Sequence, residues 1–569
     1  MEKELYSLWI NNAREDQDLM EELESIKNND DEIYDRFYRE LEFGTAGLRG
    51  VIGAGTNRMN IYTVRLATQG LANYLKENYS NSSVAIAYDS RIKSELFAKE
   101  AACVLAANGI HVHLTSELQP TPVLSFAVRE FSCHAGIMIT ASHNPAKYNG
   151  YKCYGEDGCQ MTEKSANAVY SQMKQLDIFN DIKTLSFEQA LSDGMIKYID
   201  ESFYDKYLQN VQQQSINKGI CIGSSLKVIY TPLNGAGNKL VRKILSQNGI
   251  NNVIVVPEQE NPDGNFPTCP YPNPEIREAL KLGLELAEKE DADLLLATDP
   301  DSDRVGIAVK DTNGYKLMTG NEVGIMLINY ILSCRKSQGT LPKNPVAIRT
   351  IVSSKMIDKI ADRYDCETRT VLTGFKYIGE QILNLEKNNE SSRFVFGFEE
   401  SYGYLVGTYV RDKDAVVASM LICEMAAYYQ SQGKSLARVM DEIYNEYGFY
   451  KNTTLSFNFE GAVGMEKMKN IMSNIRENCP KNIANIDVIE KSDYLSSKSI
   501  NLVTGKISDI DLPKSNVISL SLKDESAVIV RPSGTEPKIK LYITSVGQNM
   551  QQALEIEKKI EEHMSSLLK

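Results

Sequence analysis

The feature that most constrains this chain is a repeated alternation of short apolar runs with helical stretches. VAIAYDS, ELFAKEAACVLAANG, HVHLT and AGIMIT read in turn as strand, helix, strand and strand. The runs have strand length, and the stretch between them carries its apolar residues at helical spacing. Such alternation predicts a predominantly parallel sheet covered by helices. The same grammar returns in LKVIYTPLNGAGNKLVRKILSQNG, NNVIVVP, REALKLGLELAEKED and ADLLLATD, and again in VAIRTIVSSKMIDKIADRY, TRTVLTG and FKYIGEQILNLEK. Three α/β units follow from the shared pattern, although no fixed-period repeat links them. With 569 residues the chain exceeds what one core fills, since single cores stop growing near roughly 250–300 residues.

Two ends differ from this middle. Residues 1–35 read as a polar helical arm. The last 120 or so residues combine an alternating run, YKNTTLSFNF, a helical stretch, MEKMKNIMSNIREN, and two strands, SAVIVRP and KIKLYIT, that bracket a loop. A mixed domain closes the chain. The formal charge of -13, from 75 acidic and 62 basic residues, opposes nucleic acid or an anionic membrane surface as a main partner. No apolar run approaches the roughly 18 residues of a membrane span, and the N-terminus lacks a basic segment followed by an apolar core. Ten scattered cysteines form neither CxxC nor a zinc pattern, which fits reduced, buried thiols in a cytoplasmic protein.

Four loops carry chemistry. In LLLATDPDSDRVGIAV, Asp299, Asp301 and Asp303 alternate directly after an apolar strand. Carboxylates so crowded either converge on a hard cation or form a solvated acidic turn; magnesium suits a site whose few protein oxygens leave room for water and phosphate. Arg304 follows, placed to meet a phosphoryl oxygen. In TASHNPAKYNG, Ser142 is open to four readings: a helix cap, a turn residue, a hydrolase nucleophile, disfavoured because the G-x-S-x-G elbow is absent, or the carrier of a phosphoryl group whose oxygens join the metal's ligands. His143 either bonds phosphate or orders the turn. RPSGTEPKIK sets Arg531, Ser533, Gly534 and Thr535 in one loop, a monophosphate cradle or a plain hairpin turn. GFEESYGYL offers Glu399 and Ser401 to sugar hydroxyls, or is an ordinary charged connection. Arg49, in a glycine-rich stretch, and Lys376, in TGFKYIG, are further phosphate or substrate contacts with close packing and solvent exposure as their alternatives.

TASHNP, DPDSDR, GFEES and RPSGTEP, in that order, resemble the alpha-D-phosphohexomutase superfamily, in its phosphoglucomutase and phosphopentomutase branch. The resemblance runs from about Leu41 to Tyr542. It implies a four-domain α/β architecture around a central cleft: residues 1–205 with the helical arm and the phosphoserine, 206–322 binding magnesium, 323–448 recognising the sugar, and a smaller α+β domain, 449–569, binding phosphate. It implies that phosphorylated Ser142 gives its phosphoryl group to a sugar monophosphate and recovers the other phosphate from the bisphosphate intermediate. By the same resemblance Ser142, Asp299, Asp301 and Asp303 are metal ligands, and Lys152, after NGY, is a general acid/base candidate with phosphate binding as its rival role. His143 assists or orders the loop, Arg49 positions, Glu399 and Ser401 contact sugar hydroxyls, and the Arg531–Thr535 loop grips the phosphate not being transferred.

Two departures bear on substrate. DPDSDR differs from the DGDGDR and DGDADR of many bacterial phosphomannomutase and phosphoglucosamine-mutase relatives, and GFEES differs from their G-E-M-S form. DPDSDR looks closer to a phosphoglucomutase or phosphopentomutase branch, and GFEES resembles the glucose-type E-E-S signature. Glucose 1-phosphate and glucose 6-phosphate are therefore the expected pair, with glucose 1,6-bisphosphate as activator. A phosphopentomutase acting on ribose or deoxyribose phosphates is the alternative, phosphomannomutase comes after it, and a non-catalytic sugar-phosphate sensor comes last. The resemblance leaves monomer and homodimer equally open.

Overall fold

Strand-forming runs and the helices between them build two units, seen in a computed structural model that describes residues 1–44, 47–459, 461–533 and 538–568. One unit comprises Met1–Gly320 with Phe375–Leu436, the other Asn321–Gly374 with Ala437–Lys569.

The first unit contains two mixed sheets. One joins β1 (Gly47–Val51), β2 (Ser83–Tyr88), β3 (His111–Leu114), β4 (Ala135–Ile139), β5 (Tyr148–Gly155) and β6 (Ile196–Tyr198) in the order β1-β5-β4-β2-β3-β6. β2, β3, β4 and β6 run parallel, and β5 runs antiparallel to both of its neighbours, β4 and β1. The other sheet joins β7 (Val228–Thr231), β8 (Val253–Val255), β9 (Leu294–Thr298), β10 (Val305–Asp311) and β11 (Gly314–Met318) in the order β11-β10-β9-β7-β8. In this sheet β7, β8 and β9 are parallel, and β10 forms antiparallel hairpins with β9 and β11. The expectation of a predominantly parallel sheet covered by helices holds in both sheets, where only β5 and β10 run against their neighbours. The reversals come where the connection is too short to cross over, as in the eight-residue loop between β4 and β5 and the six-residue loop between β9 and β10.

That geometry places chemistry at the carboxyl ends of parallel strands, where open α/β sheets bind ligands. Asp89 follows β2, Ser142 follows β4 and Asp299 follows β9. β14 (Phe394–Glu399) and β15 (Gly403–Leu405) add a hairpin whose tip is Glu400–Tyr402. In sequence between the first unit's segments, β12 (Val346–Thr350) and β13 (Glu367–Val371) are parallel neighbours in the second unit.

The N-terminal arm is less polar in effect than its composition suggests. It forms helices Glu2–Asn12, Gln17–Ser25 and Asp30–Phe37, the last two capped by Asp16 and Asn29. Trp9, the only tryptophan, is fully buried. Its ring meets Phe37, Tyr62 and Phe179 edge-on at 5.4–5.9 Å between centroids. Aromatic pairs in that arrangement add about 0.5–1.5 kcal/mol each beyond their buried area. The arm is thus packed into the first unit's core.

In the second unit the closing region is one antiparallel sheet. Its path runs β16 (Phe449–Asn458), β23 (Lys538–Gly547), β22 (Ala527–Pro532), β21 (Ile518–Leu522), β18 (Ile486–Asp493), β19 (Lys498–Asn501) and β20 (Ile507–Asp509), with β17 (Asn482–Ile483) beside β18. Helices Gly461–Glu477 and Met550–Leu568 contribute Met472, Ile475, Ile560 and Met564 to its core. Among the described residues no helix is long and apolar enough to cross a membrane.

Candidate active site

Ser142 sits in a turn that no helix follows, so the cap reading fails for its side chain. Its backbone is left-handed, φ 53°. A non-glycine residue held there costs of order 1–3 kcal/mol, which the surroundings must over-determine. They do so through Asp89 and Arg91, whose side chains are both fully buried and 3.3 Å apart. Arg91 spends its fork on main-chain carbonyls: Nη2 donates to Ser142 O and to Asn144 O, Nη1 to Pro145 O and Tyr148 O. Asp89 accepts from Thr140 Oγ1 at 2.6 Å, and Thr140 Oγ1 accepts the Ser142 amide at 2.8 Å. Both ends of the serine loop are therefore tied to one buried ion pair.

With the loop fixed, Ser142 Oγ donates to Asp299 Oδ2 at 3.1 Å and lies 3.2 Å from His143 Nδ1. Burial, then the nearby charges of Arg304 and Arg49, hold His143 well below its usual pKa, which keeps the imidazole neutral. Arg49 is placed near His143 by β1, where it pairs with Gly150 of β5.

The acidic loop is held as tightly. Pro300, Asp301 and Ser302 carbonyls accept the amides of Ala236, Thr121 and Ala415, and the Val305 amide donates to Tyr402 O. Gly235 must be glycine for this: a Cβ there would lie 2.4 Å from Pro300 Cα. The result brings one oxygen from each of Asp299, Asp301 and Asp303 within 4.8 Å of the others, all three residues buried. Among the described residues Asp301 Oδ1 and Asp303 Oδ1 have no hydrogen-bond donor. Buried carboxylate oxygens left bare in this way are what a hard divalent cation takes up, so the residues present can hold a metal ion.

Electrostatics agree. Burial, then the charges of Asp301 and Asp303, push Asp299 well above the usual carboxylate range. Asp303 is raised by burial and by Asp301 against the pull of Lys413 and Lys152. Burial also acts to raise Asp301, but the charge and hydrogen bond of Lys152, with Lys413 and Thr121, together hold it low. Lys152 Nζ is 2.9 Å from Asp301 Oδ2 and 4.0 Å from Asp303 Oδ2. Lys413 Nζ is 3.1 Å from Asp303 and 3.0 Å from Asp412. Its proton is held more firmly than usual, since Asp303, Asp412 and Glu399 together overcome the burial that opposes it.

The remaining expected residues are distributed as follows. Arg304 pairs with Glu275 at 3.0 Å and approaches Asp303 at 3.7 Å. It also forms a backbone bridge to Gly403, which ties the acidic loop to the β14–β15 hairpin. Glu399, at the end of β14, is buried and bears electrostatically on Arg304 and Lys413; Ser401 is partly buried at the hairpin tip. Lys376 lies in the first turn of the helix Phe375–Lys387, its ammonium 5.1 Å from the Tyr377 ring centroid. In the second unit Arg531 lies near the end of β22, and the Ser533 amide donates to Lys538 O at 2.8 Å. Gly534 and Thr535 lie outside the described residues. Sequence reasoning missed Asp89, Arg91, Thr121, Asp412 and Lys413. For Asp412 and Lys413 the run RDKD, set directly before the apolar AVVASMLICEMAAYY, is the available signal: charges at the start of a buried helix require partners.

Three family models, described as phosphoglucomutase/phosphomannomutase alpha/beta/alpha domains I, II and III, match residues 40–178, 201–314 and 319–447. The chain belongs to this family. It falls within the alpha-D-phosphohexomutase superfamily, and its curated relatives point to the phosphoglucomutase branch. A phosphoglucomutase of Staphylococcus saprophyticus is 36% identical over 546 residues, 96% of this chain and 97% of the relative. One from Staphylococcus aureus strain MRSA252 is 38% identical over 545 residues, 96% and 95%. Among solved structures, a putative phosphomannomutase from Thermus thermophilus superposes with TM-score 0.69 at 21% identity, covering 93% of this chain and 99% of that one. The open form of pp63/parafusin, a Paramecium phosphoglucomutase, gives 0.66 at 17%, covering 93% and 96%. These two structures share the fold.

Proposed function

We propose that the chain is a metal-dependent phosphoglucomutase, interconverting glucose 1-phosphate and glucose 6-phosphate through phosphorylated Ser142 and a glucose 1,6-bisphosphate intermediate. The observation that carries this reading is Ser142 Oγ, 3.1 Å from Asp299 Oδ2 in a buried triad with bare carboxylate oxygens. Staphylococcal phosphoglucomutases at 36–38% identity over most of the chain support the choice of sugar.

Magnesium, held by Asp299, Asp301, Asp303 and an oxygen of phosphorylated Ser142, would neutralise charge that builds on the phosphoryl oxygens during transfer. The chain's own groups do the rest. Arg91 and Asp89 keep Ser142 in its strained turn, so the accepting hydroxyl meets a fixed phosphorus. Arg304 and Arg49 supply positive charge beside the reacting group. Lys152, on β5 and bonded to Asp301, is the candidate to move the proton of the attacking hydroxyl, and neutral His143 orders the serine or relays that proton. Glu399 and Ser401 are assigned to sugar hydroxyls and Lys376 to the substrate. Arg531, Ser533, Gly534 and Thr535 are assigned to a phosphate on the strength of their donors.

In the same reading residues 1–205, 206–322, 323–448 and 449–569 act as phosphoserine, metal, sugar and phosphate domains. Glucose 1,6-bisphosphate serves as activator by rephosphorylating Ser142. The enzyme works in the cytoplasm on small sugar phosphates, as a monomer or homodimer. The test is direct. The phosphorylated protein, given glucose 1-phosphate, magnesium and a trace of bisphosphate, should form glucose 6-phosphate; none above an uncatalysed control would reject the assignment. Ribose 1-phosphate and mannose 1-phosphate in parallel assign the specificity by the ratio of kcat/KM.

A further inference from the structure

The family's first domain model begins at residue 40, so the three N-terminal helices lie outside it. Yet they touch the two segments that shape the serine loop. Asp16, the cap of helix Gln17–Ser25, takes Lys93 Nζ at 2.8 and 3.1 Å, and Asp18 takes it at 2.9 Å. Lys93 is two residues beyond Arg91 and is itself left-handed, φ 62°. The segment Asp89–Ser94 thus carries the loop's clamp at one end and the arm's ion pairs at the other. Independently, Glu22 Oε2 accepts the Ala54 amide at 2.7 Å and Arg36 O accepts the Asn57 amide at 3.0 Å. Those amides belong to the loop that leaves β1, the strand of Arg49, and Ile52 N in turn donates to Lys147 O within the serine loop's turn at 2.8 Å. Trp9 and its aromatic neighbours anchor the arm behind both contacts.

We propose that the N-terminal helices position Ser142 at a distance, with Lys93, latched by Asp16 and Asp18, as the positioning residue that holds Arg91 on the loop's carbonyls. The inference rests on the reading of Ser142 as the phosphoryl carrier only for its kinetic consequence. Removing the latch loosens the backbone of Thr140–Tyr148 without touching the groups that bind substrate. Misplacing a reacting atom by about an ångström costs up to about a hundredfold in rate.

The experiment compares Lys93→Met, Lys93→Arg and Asp16→Asn with Asp30→Asn, which breaks only the exposed Lys3–Asp30 pair. Amide hydrogen exchange over residues 140–148, kcat and KM for glucose 1-phosphate, and Trp9 fluorescence are read on the full chain. Lys93→Met should speed exchange in that segment by about tenfold. It should lower kcat by about tenfold with KM unchanged, Lys93→Arg should retain most of both, and Asp30→Asn should match the parent. Should Asp16→Asn undock the arm, as a changed Trp9 emission would show, Lys93→Met decides alone. Unchanged exchange over 140–148 in Lys93→Met overturns the proposal, whatever the rate does. A parent protein inactive on glucose 1-phosphate rejects the functional reading instead and leaves the exchange result to decide this one.

Discussion

Replacing Lys413 with methionine separates the charge role of this buried lysine from its shape. Methionine keeps most of the aliphatic stem, which runs past Gly403, where a Cβ would come within 2.1 Å of Lys413 Cδ. What is lost is the ammonium group, 3.1 Å from Asp303 and 3.0 Å from Asp412. At an effective dielectric near 20, each contact is a gross attraction of roughly 5 kcal/mol. Desolvation of the lysine offsets part of it, so the measurable cost of orphaning the two carboxylates is about 3–5 kcal/mol. A divalent ion on the aspartate triad would take over the neutralisation of Asp303. The variant should therefore lose about 3–5 kcal/mol in EDTA and recover at least about 1.4 kcal/mol more than the parent on adding saturating magnesium, a tenfold gain in apparent affinity. Urea unfolding followed by Trp9 emission reports on the unit that contains both residues. A loss of the same size with and without magnesium would refute the electrostatic reasoning.

Three further outcomes follow from the same geometry. Gly235→Ala, forced against Pro300 at 2.4 Å, should displace the acidic loop and abolish magnesium binding by calorimetry, with a stability loss of about 1–3 kcal/mol; normal affinity would show that the loop yields freely. Thr121→Val removes the 3.0 Å bond to Asp301 Oδ2 without changing shape and should weaken magnesium binding by about 10–100-fold, whereas an unchanged Kd would leave Thr121 with only its backbone role. Burial pushes Cys103, Cys133 and Cys269 up to about 11 and Cys221 and Cys366 up to about 12, so these native thiols should resist alkylation at about pH 8 and react on denaturation; rapid native labelling of Cys133 would contradict its packing.

How much of this is legible in the chain depends on how far apart the partners lie. Asp299, Asp301 and Asp303 fall within one short loop, and a strand-end loop of alternating carboxylates says most of what it is. Ser142 is legible as a candidate, but a sequence separation of 157 from Asp299 hides their contact until the sheets are assembled. Asp89, Arg91 and Thr121 look like ordinary turn and helix-start residues; their meaning comes from the carbonyls and carboxylate they reach. The direction of β10 against β9 departs from the parallel expectation because apolar content carries no orientation, although the shortness of DPDSDR favours a hairpin. The arm reads as polar because its outer faces are charged, while Trp9 and Phe37 carry the packing.

Following a labelled phosphoryl group tests the central claim most directly. The protein, phosphorylated with isotopically labelled phosphate, would be mixed with unlabelled glucose 1-phosphate and magnesium, then quenched within a turnover and analysed by peptide mass spectrometry and sugar chromatography. Label should leave the Ser142 peptide and enter the sugar pool as unlabelled phosphate replaces it, and Ser142→Ala should carry no label and form no glucose 6-phosphate. Label that stays on Ser142 while glucose 6-phosphate accumulates would contradict the account.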